Sequence, residues 1–258
     1  MAWEPWNPEK SGKGKRMGCV LVTGASRGLG AAIAVRLAED GWTVGVNYAH
    51  DTAGATAVAE RISAAGGRAC VARFDVTDEE SVRRGIAELT EKAGPVEVVV
   101  NNATGPQPLV PLAEQTWEHH LDQLRFFVKA PLLILRAVLP AMREAGSGRI
   151  INVGSEVVDL GNVEMGHYVA AKAAMHGLTR SWANELGRYG ITVNTVEPGW
   201  IPVERHEGMD VEEYRAGLPL GRMGVPTEVA DAIAFLASPG GRFITGQRLA
   251  VNGGNTMS

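Results

Sequence analysis

GCVLVTGASRGLGAAIAVRLAED occupies residues 18–40 and changes character twice. Residues 18–23 form a short apolar run with few polar positions, the pattern of a strand buried on both faces. Residues 29–40 follow a helical pattern. Between them, TGASRGLG at 23–30 places Gly24, Gly28 and Gly30 in a strand-to-helix turn, with Ser26, Arg27 and Leu29 completing the loop. Glycines there permit a tight turn and close backbone approach, and the helix N-terminus offers unpaired N–H groups to a pyrophosphate. The segment therefore predicts a dinucleotide loop.

The alternation continues along the chain. Apolar runs at 43–48, 69–74, 96–100, 149–153, 191–196 and 248–251 read as further strands, short and rich in Val, Ile or Ala. Helical patterns stand near 53–65, 78–93, 114–145, 168–188 and 226–237, with Pro131 and Pro140 interrupting the longest. This predicts an α/β fold, a doubly wound parallel sheet in a single domain over 17–258. Ligands of such sheets bind outside the carboxyl ends of the strands, where each motif falls. Residues 1–16, rich in Pro, Lys and Gly without period, predict a flexible N-terminal tail.

The second strand ends VGVNY, where an NAD site usually carries Asp or Glu for the ribose 2′-hydroxyl. Asn47 and Tyr48 stand there instead, with no carboxylate to repel a 2′-phosphate. Arg27 can make a charge-assisted contact with that phosphate, and His50 can assist. The expected cofactor is NADPH/NADP+ in preference to NADH. Asp75 and Val76 in FDVT follow the third strand, and Asn102 and Ala103 in NNA follow the fourth. Asp75 can accept from an adenine amino group.

Tyr168 and Lys172 share one helix face at i,i+4, and Ser155 closes the fifth strand 13 residues before Tyr168. A phenol near pKa 10 exchanges protons poorly at neutral pH. An adjacent ammonium favours the phenolate, each pKa unit being worth about 1.4 kcal/mol. Tyr168 then becomes a general acid for carbonyl reduction or a base for alcohol oxidation. Ser155 can donate to the substrate oxygen as charge develops. Glu156 and His167, beside these residues, are candidate second acid–base groups, against plain readings as a loop carboxylate and a solvent-facing helix-start histidine.

Composition narrows the class. A net charge of −4 with 21% charged residues excludes the basic excess of a nucleic-acid or membrane-surface protein. No apolar run approaches the roughly 20 residues of a membrane helix, and the first residues lack a signal-type apolar core. Cys19 and Cys70 lie in strand-like runs and read as buried free thiols of a reducing, cytoplasmic compartment. No metal is expected.

TGASRGLG, FDVT, NNA, INVGS, YVAAK, ITVNTVEPG and ITGQRLAVNGG together resemble the short-chain dehydrogenase/reductase family over about residues 17–255. Within it the chain is most similar to 3-oxoacyl-(acyl carrier protein) reductase-like members. The resemblance implies a Rossmann-type sheet of about seven strands and a homotetramer, with a dimer as the alternative. It also implies hydride delivery from nicotinamide C4. By position it makes Tyr168 the proton donor and Ser155 the carbonyl-orienting group. Lys172 binds the nicotinamide ribose, and Pro198, Gly199 and Ile201 line the nicotinamide.

Three departures stand out. Phe127 occupies a position where similar enzymes carry an asparagine, whose backbone carbonyl extends the proton relay and whose side chain shapes a helix kink. Thr104 replaces the glycine of NNAG, and Val203 replaces a threonine that reaches the nicotinamide amide. Basic positions that dock a carrier protein beside the site mouth in such reductases fall on Gly146 and Tyr189, with Arg149 and Arg188 close by. The substrate wall is expected from 105–110, 156–166 and a lid at 200–218. The expected reaction is NADPH-dependent reduction of a ketone, either a β-keto thioester or a specialised carbonyl. The alternatives are an NADP-linked alcohol or sugar dehydrogenase and a cofactor-binding protein with little turnover.

Overall fold

Strand β1 (Cys19–Val22) is buried at every residue, and its side chains alternate between two cores. Val20 and Val22 face one core and Cys19 and Leu21 the other, as the twofold period of a strand requires. A strand used on both faces needs helices on both sides. Helices α1 (Gly28–Glu39), α2 (Thr52–Ala64) and α9 (Pro226–Ala237) cover the first face, with Ile33, Leu37 and Ile233 in its core. Helices α3 (Glu79–Ala93), α5 (Ala130–Ala145) and α7 (Gly166–Leu186) cover the second, with Ile86, Ile134 and Trp182. Each fully buried aliphatic side chain contributes about 1.5–3 kcal/mol.

The remaining strands are β2 (Thr43–Tyr48), β3 (Arg68–Arg73), β4 (Val96–Asn101), β5 (Gly148–Val153), β6 (Ile191–Pro198) and β7 (Arg248–Val251). All pair in parallel, in the order β3-β2-β1-β4-β5-β6-β7. The order reverses between β1 and β4, which opens a crevice at their carboxyl ends. The computed structural model describes residues 17–257, so the tail expected at 1–16 lies outside the described residues. No described helix is long and apolar enough to cross a membrane.

Three expectations need correction. Edge strands β3 and β7 have one neighbour each and are not buried on both faces: Val71 is 39% and Leu249 38% exposed. Cys70, on that edge, is half-buried while Cys19 is fully buried, and both are free thiols. The pattern at 114–145 is not one helix. It divides into α4 (Trp117–Leu124), a π turn at Arg125–Lys129 and α5. Pro131 lacks the N–H that would bond the carbonyl of Phe127 four residues earlier, so the widened turn stands where a proline loosens the ladder. Pro140 sits inside α5 without ending it.

Candidate active site

The glycine loop is held from beneath by polar side chains. Thr23 donates from Oγ1 to the Val100 carbonyl at 3.2 Å and accepts from the amides of Asn102 and Ala103, each at 2.9 Å. Asn102 Nδ2 donates to the carbonyls of Thr23 and Gly24 at 2.9 and 3.2 Å. Gly24 adopts φ 61°, and a Cβ there would stand 2.9 Å from the Ala103 Cα. At Gly30 a Cβ would reach 2.3 Å from the Gly24 carbonyl oxygen. Only glycine lets α1 pack this closely on the loop. The N-cap residue of α1, Arg27, makes no side-chain cap, and no acidic residue occupies the first turn. Those amides and the positive end of the helix dipole suit a pyrophosphate.

The adenosine side differs from expectation in two places. Asn47 is buried and its amide is committed to the protein. Its Oδ1 accepts from Gly24 N at 3.2 Å, and its Nδ2 donates to the carbonyls of Ala72 and Phe74 at 3.1 and 3.0 Å. Asn47 therefore braces the loop, and the neighbouring Tyr48 is buried too. A carboxylate does stand near Arg27. Asp51, the N-cap of α2, accepts from Gly54 N at 3.0 Å, and that bond, the Ser26 hydroxyl and the Arg27 charge hold its carboxyl below the usual range. The sequence hid it three residues beyond the strand end. Asp75 spends Oδ1 on the amide and hydroxyl of Thr77, each at 2.8 Å, which orders the FDVT turn beside buried Val76.

Ser155 follows β5, just before the short helix α6 (Val157–Leu160), and Tyr168 and Lys172 lie on one face of α7, both buried. Lys172 Nζ donates to the Val153 carbonyl at 2.7 Å, tying the amine to the strand that carries Ser155. The ammonium stands 3.8 Å above the Phe127 ring and 5.6 Å from the Tyr168 ring centroid. Phe127 and Tyr168 meet edge to face, with centroids 5.4 Å apart at 77°. Phe127 is 1% exposed and sits in the π turn. The helix irregularity thus persists without an asparagine side chain, and the aromatic face takes the position beneath the amine.

A ladder of buried polar groups lies under this site, and the sequence reading missed it. Asn101 donates to Asn152 at 2.8 Å, Asn152 to Thr179 at 2.9 Å, and Thr179 pairs with Thr195 at 2.8 Å. It links β4, β5, α7 and β6. Beside it, buried Glu197 bonds His176 and takes both Arg248 Nε at 2.9 Å and a terminal Arg248 nitrogen at 2.8 Å. Arg248 also reaches Asp159 at 2.5 Å. Burial pushes the Glu197 carboxyl up, but these bonds outweigh it and hold it below its usual range. A spacing of 51 residues between Glu197 and Arg248 carries no local signal that could have revealed the pair.

The wall residues are placed unevenly. His167 does not face solvent: it is 1% exposed, against the rings of His119 and His120. Burial, then those two histidines, lower its pKa. Glu156 is also buried. Thr104 is exposed, its hydroxyl donating to the Gly105 carbonyl at 3.2 Å and accepting from Gln107 at 2.7 Å. Pro198 ends β6, Gly199 bonds the Val251 carbonyl at 3.1 Å, and Ile201 is buried. Val203 and Glu204 lie against Gly28, so the lid reaches the glycine loop. Gly146 and Tyr189 are not beside the mouth. They precede β5 and β6, at the amino ends of strands whose carboxyl ends carry the site, and Arg143 and Arg188 stack on the Tyr189 ring.

A sequence model of the family described as Enoyl-(Acyl carrier protein) reductase matches residues 24–256. The chain is 40% identical over 242 residues to the 3-oxoacyl-[acyl-carrier-protein] reductase FabG of Staphylococcus aureus, covering 92% of this chain and 97% of that one. It is 41% identical over 243 residues to the FabG of Vibrio cholerae, covering 92% and 96%. Among solved structures it resembles a blue fluorescent protein from a metagenomic library in complex with NADPH. That match has TM-score 0.87 and 37% identity, covering 95% of this chain and 100% of the other. A dehydrogenase/reductase from Sinorhizobium meliloti gives TM-score 0.86 and 35% identity, covering 94% and 96%.

Proposed function

The chain belongs to the short-chain dehydrogenase/reductase family and is an NAD(P)-dependent oxidoreductase; from that premise we propose that it uses NADPH to reduce a ketone to a secondary alcohol, with Tyr168 as proton donor. The observation that carries this reading is the Lys172 amine, fixed by the Val153 carbonyl and seated on Phe127 one helical turn from Tyr168.

The residues present fit a dinucleotide. The uncapped start of α1 and the crowding at Gly24 and Gly30 make a cradle that any Cβ would fill. Gly24, Ser26, Arg27, Gly28, Leu29 and Gly30 would hold the phosphates, with Arg27 toward the 2′-phosphate. Asp75 and Val76 would flank the adenine. Asn102, Ala103, Thr104, Pro198, Gly199 and Ile201 would line the path to the nicotinamide. When bound, a reduced nicotinamide supplies the hydride.

The protein's own groups do the rest. Ser155 donates a hydrogen bond to the carbonyl oxygen and holds it as negative charge develops there. Tyr168 transfers its phenolic proton to that oxygen. The Lys172 ammonium favours the phenolate left behind and binds the ribose hydroxyls. The burial of all three carbon-rich walls around Tyr168 (Phe127, Ala171 and Met175) keeps the local dielectric low and strengthens these interactions.

The substrate class is a β-keto thioester or a specialised biosynthetic ketone. Similarity to the FabG proteins supports the first. The protein works as a cytoplasmic homotetramer in this reading. The test is cofactor consumption by the purified protein against β-keto thioesters, β-keto esters, diketones, quinones and sugars, with NADPH and NADH in parallel. Turnover with NADPH is expected. Tight NADPH binding with silence across the panel would return the cofactor-binding alternative.

A further inference from the structure

We propose that Glu156 is a positioning residue that latches the substrate lid, its carboxylate holding the Tyr214 hydroxyl and so seating the segment 200–218 beside Ser155. The inference rests on the reductase reading for its effect on turnover and on the geometry alone for the latch itself.

The segment leaves the sheet after Gly199 and returns through α8 (Glu212–Gly217). Glu204, residues 207–210, Glu212, Glu213 and residues 215–217 are all exposed, so little packing fixes its course. Its two ends are tied to each other. Trp200 N donates to the Tyr214 hydroxyl oxygen at 2.8 Å, and their rings meet edge to face at 5.5 Å and 70°. That tie is itself tied to the catalytic strand end. Tyr214 donates its proton to Glu156 Oε1 at 2.6 Å, and Glu156 N donates to the Pro198 carbonyl at 3.2 Å. A single hydroxyl thus joins the residue after Ser155, the residue after Gly199 and the returning end of the lid.

Packing alone does not explain a glutamate here. Glu156 is 4% exposed, and its Oε2 is buried with no hydrogen-bond partner among the described residues. One neutral donor does not recover the cost of desolvating a carboxylate. The bond it does make is charge-assisted, and so about twice as strong as a neutral one. Burial, then the Glu156 carboxylate, raise the Tyr214 pKa, so the phenol stays a donor. At the far side of the lid, Val203 and Glu204 lie on Gly28. The latched segment therefore spans from the glycine loop to the catalytic serine.

The test uses the full-length protein and Tyr214→Phe, Glu156→Leu and Glu156→Gln. Two readouts need no turnover. One is trypsin cleavage within the lid, which carries Arg205 and Arg215. The other is amide exchange over 211–218 compared with α9. Tyr214→Phe and Glu156→Leu should each speed lid cleavage and lid exchange about tenfold while leaving α9 unchanged, as loss of one charge-assisted bond implies. Glu156→Gln keeps an acceptor oxygen and should restore most of the protection. With a turned-over ketone, Tyr214→Phe should raise KM about tenfold and leave kcat within about twofold. Wild-type cleavage and exchange in Tyr214→Phe would overturn the latch. Equal increases in the lid and α9, or a Gln variant as open as the Leu variant, would overturn it too. Silence of every ketone would instead count against the reductase reading and leave the latch to the two free-protein measurements.

Discussion

The Lys172 ammonium stands 3.8 Å from the centroid of the Phe127 ring, while its Nζ donates to the Val153 carbonyl at 2.7 Å. The amine one helical turn from Tyr168 is therefore held by one backbone oxygen and one aromatic face. A desolvated cation–π contact is worth up to about 2 kcal/mol. Phe127→Leu keeps the site apolar and removes the quadrupole. It should lower kcat/KM about tenfold, 1.4 kcal/mol being a decade in rate, while Phe127→Tyr keeps the face and most of the activity. Steady-state kinetics decide it, and a fully active leucine variant would show that the ring only fills space.

Tyr168→Phe keeps the ring that packs against Phe127 and removes the proton donor. Turnover should fall at least about a hundredfold, the scale of general acid catalysis, with NADPH binding largely intact. Fluorescence titration beside a turnover assay separates the two. Near-normal turnover would remove Tyr168 from the role.

Arg27 faces two anions in this reading, the Asp51 carboxylate, whose pKa its charge helps to lower, and a 2′-phosphate. Arg27→Ala should weaken NADPH about tenfold to a hundredfold, the worth of a charge-assisted bond, and leave NADH almost untouched. Equal losses in the two dissociation constants would mean that Arg27 does not meet the 2′-phosphate.

Glu197, beneath the site, carries a stability prediction with a definite sign. Its folded pKa lies below the ordinary 4.5, because bonds from His176 and Arg248 outweigh burial. Its contribution is thus fully present above about pH 4.5 and is lost as the pH falls through the lower folded value. Arg248→Met would leave the buried carboxylate with His176 as its remaining partner, costing about 3 kcal/mol, or of order 10 °C in Tm for a chain of this size. Melting curves from pH 3 to 7 should show both the drop and a shallower acid dependence in the variant.

Burial first, then Cys70 and Glu97, push the Cys19 thiol up to about 12. At pH 8 it is almost wholly protonated and enclosed. Alkylation of the native protein followed by mass spectrometry should leave Cys19 unlabelled until the chain unfolds. Rapid native labelling of Cys19 would contradict its place in the core.

The strands, their parallel pairing, the glycine loop and the Ser155–Tyr168–Lys172 set were legible in the chain because each rests on short-range pattern. A doubly buried strand writes a continuous apolar run, a phosphate turn needs glycines, and an i,i+4 pair shares a helix face by geometry. Edge exposure at Val71, the break of the long helix at the π turn and the burial of His167 were not legible. They depend on which neighbours the rest of the chain supplies.

The amino-acid sequence by itself determined the sheet, the glycine loop and the spacing of Ser155, Tyr168 and Lys172, since local periodicity and spacing encode them. Only the tertiary structure decided what stands next to them: Phe127 under Lys172, Asp51 beside Arg27, Arg248 on Glu197, and Tyr214 on Glu156. Those pairs join residues 24 to 58 positions apart along the chain. No local pattern reaches that far, because it is the closing of the sheet that brings its strand ends together.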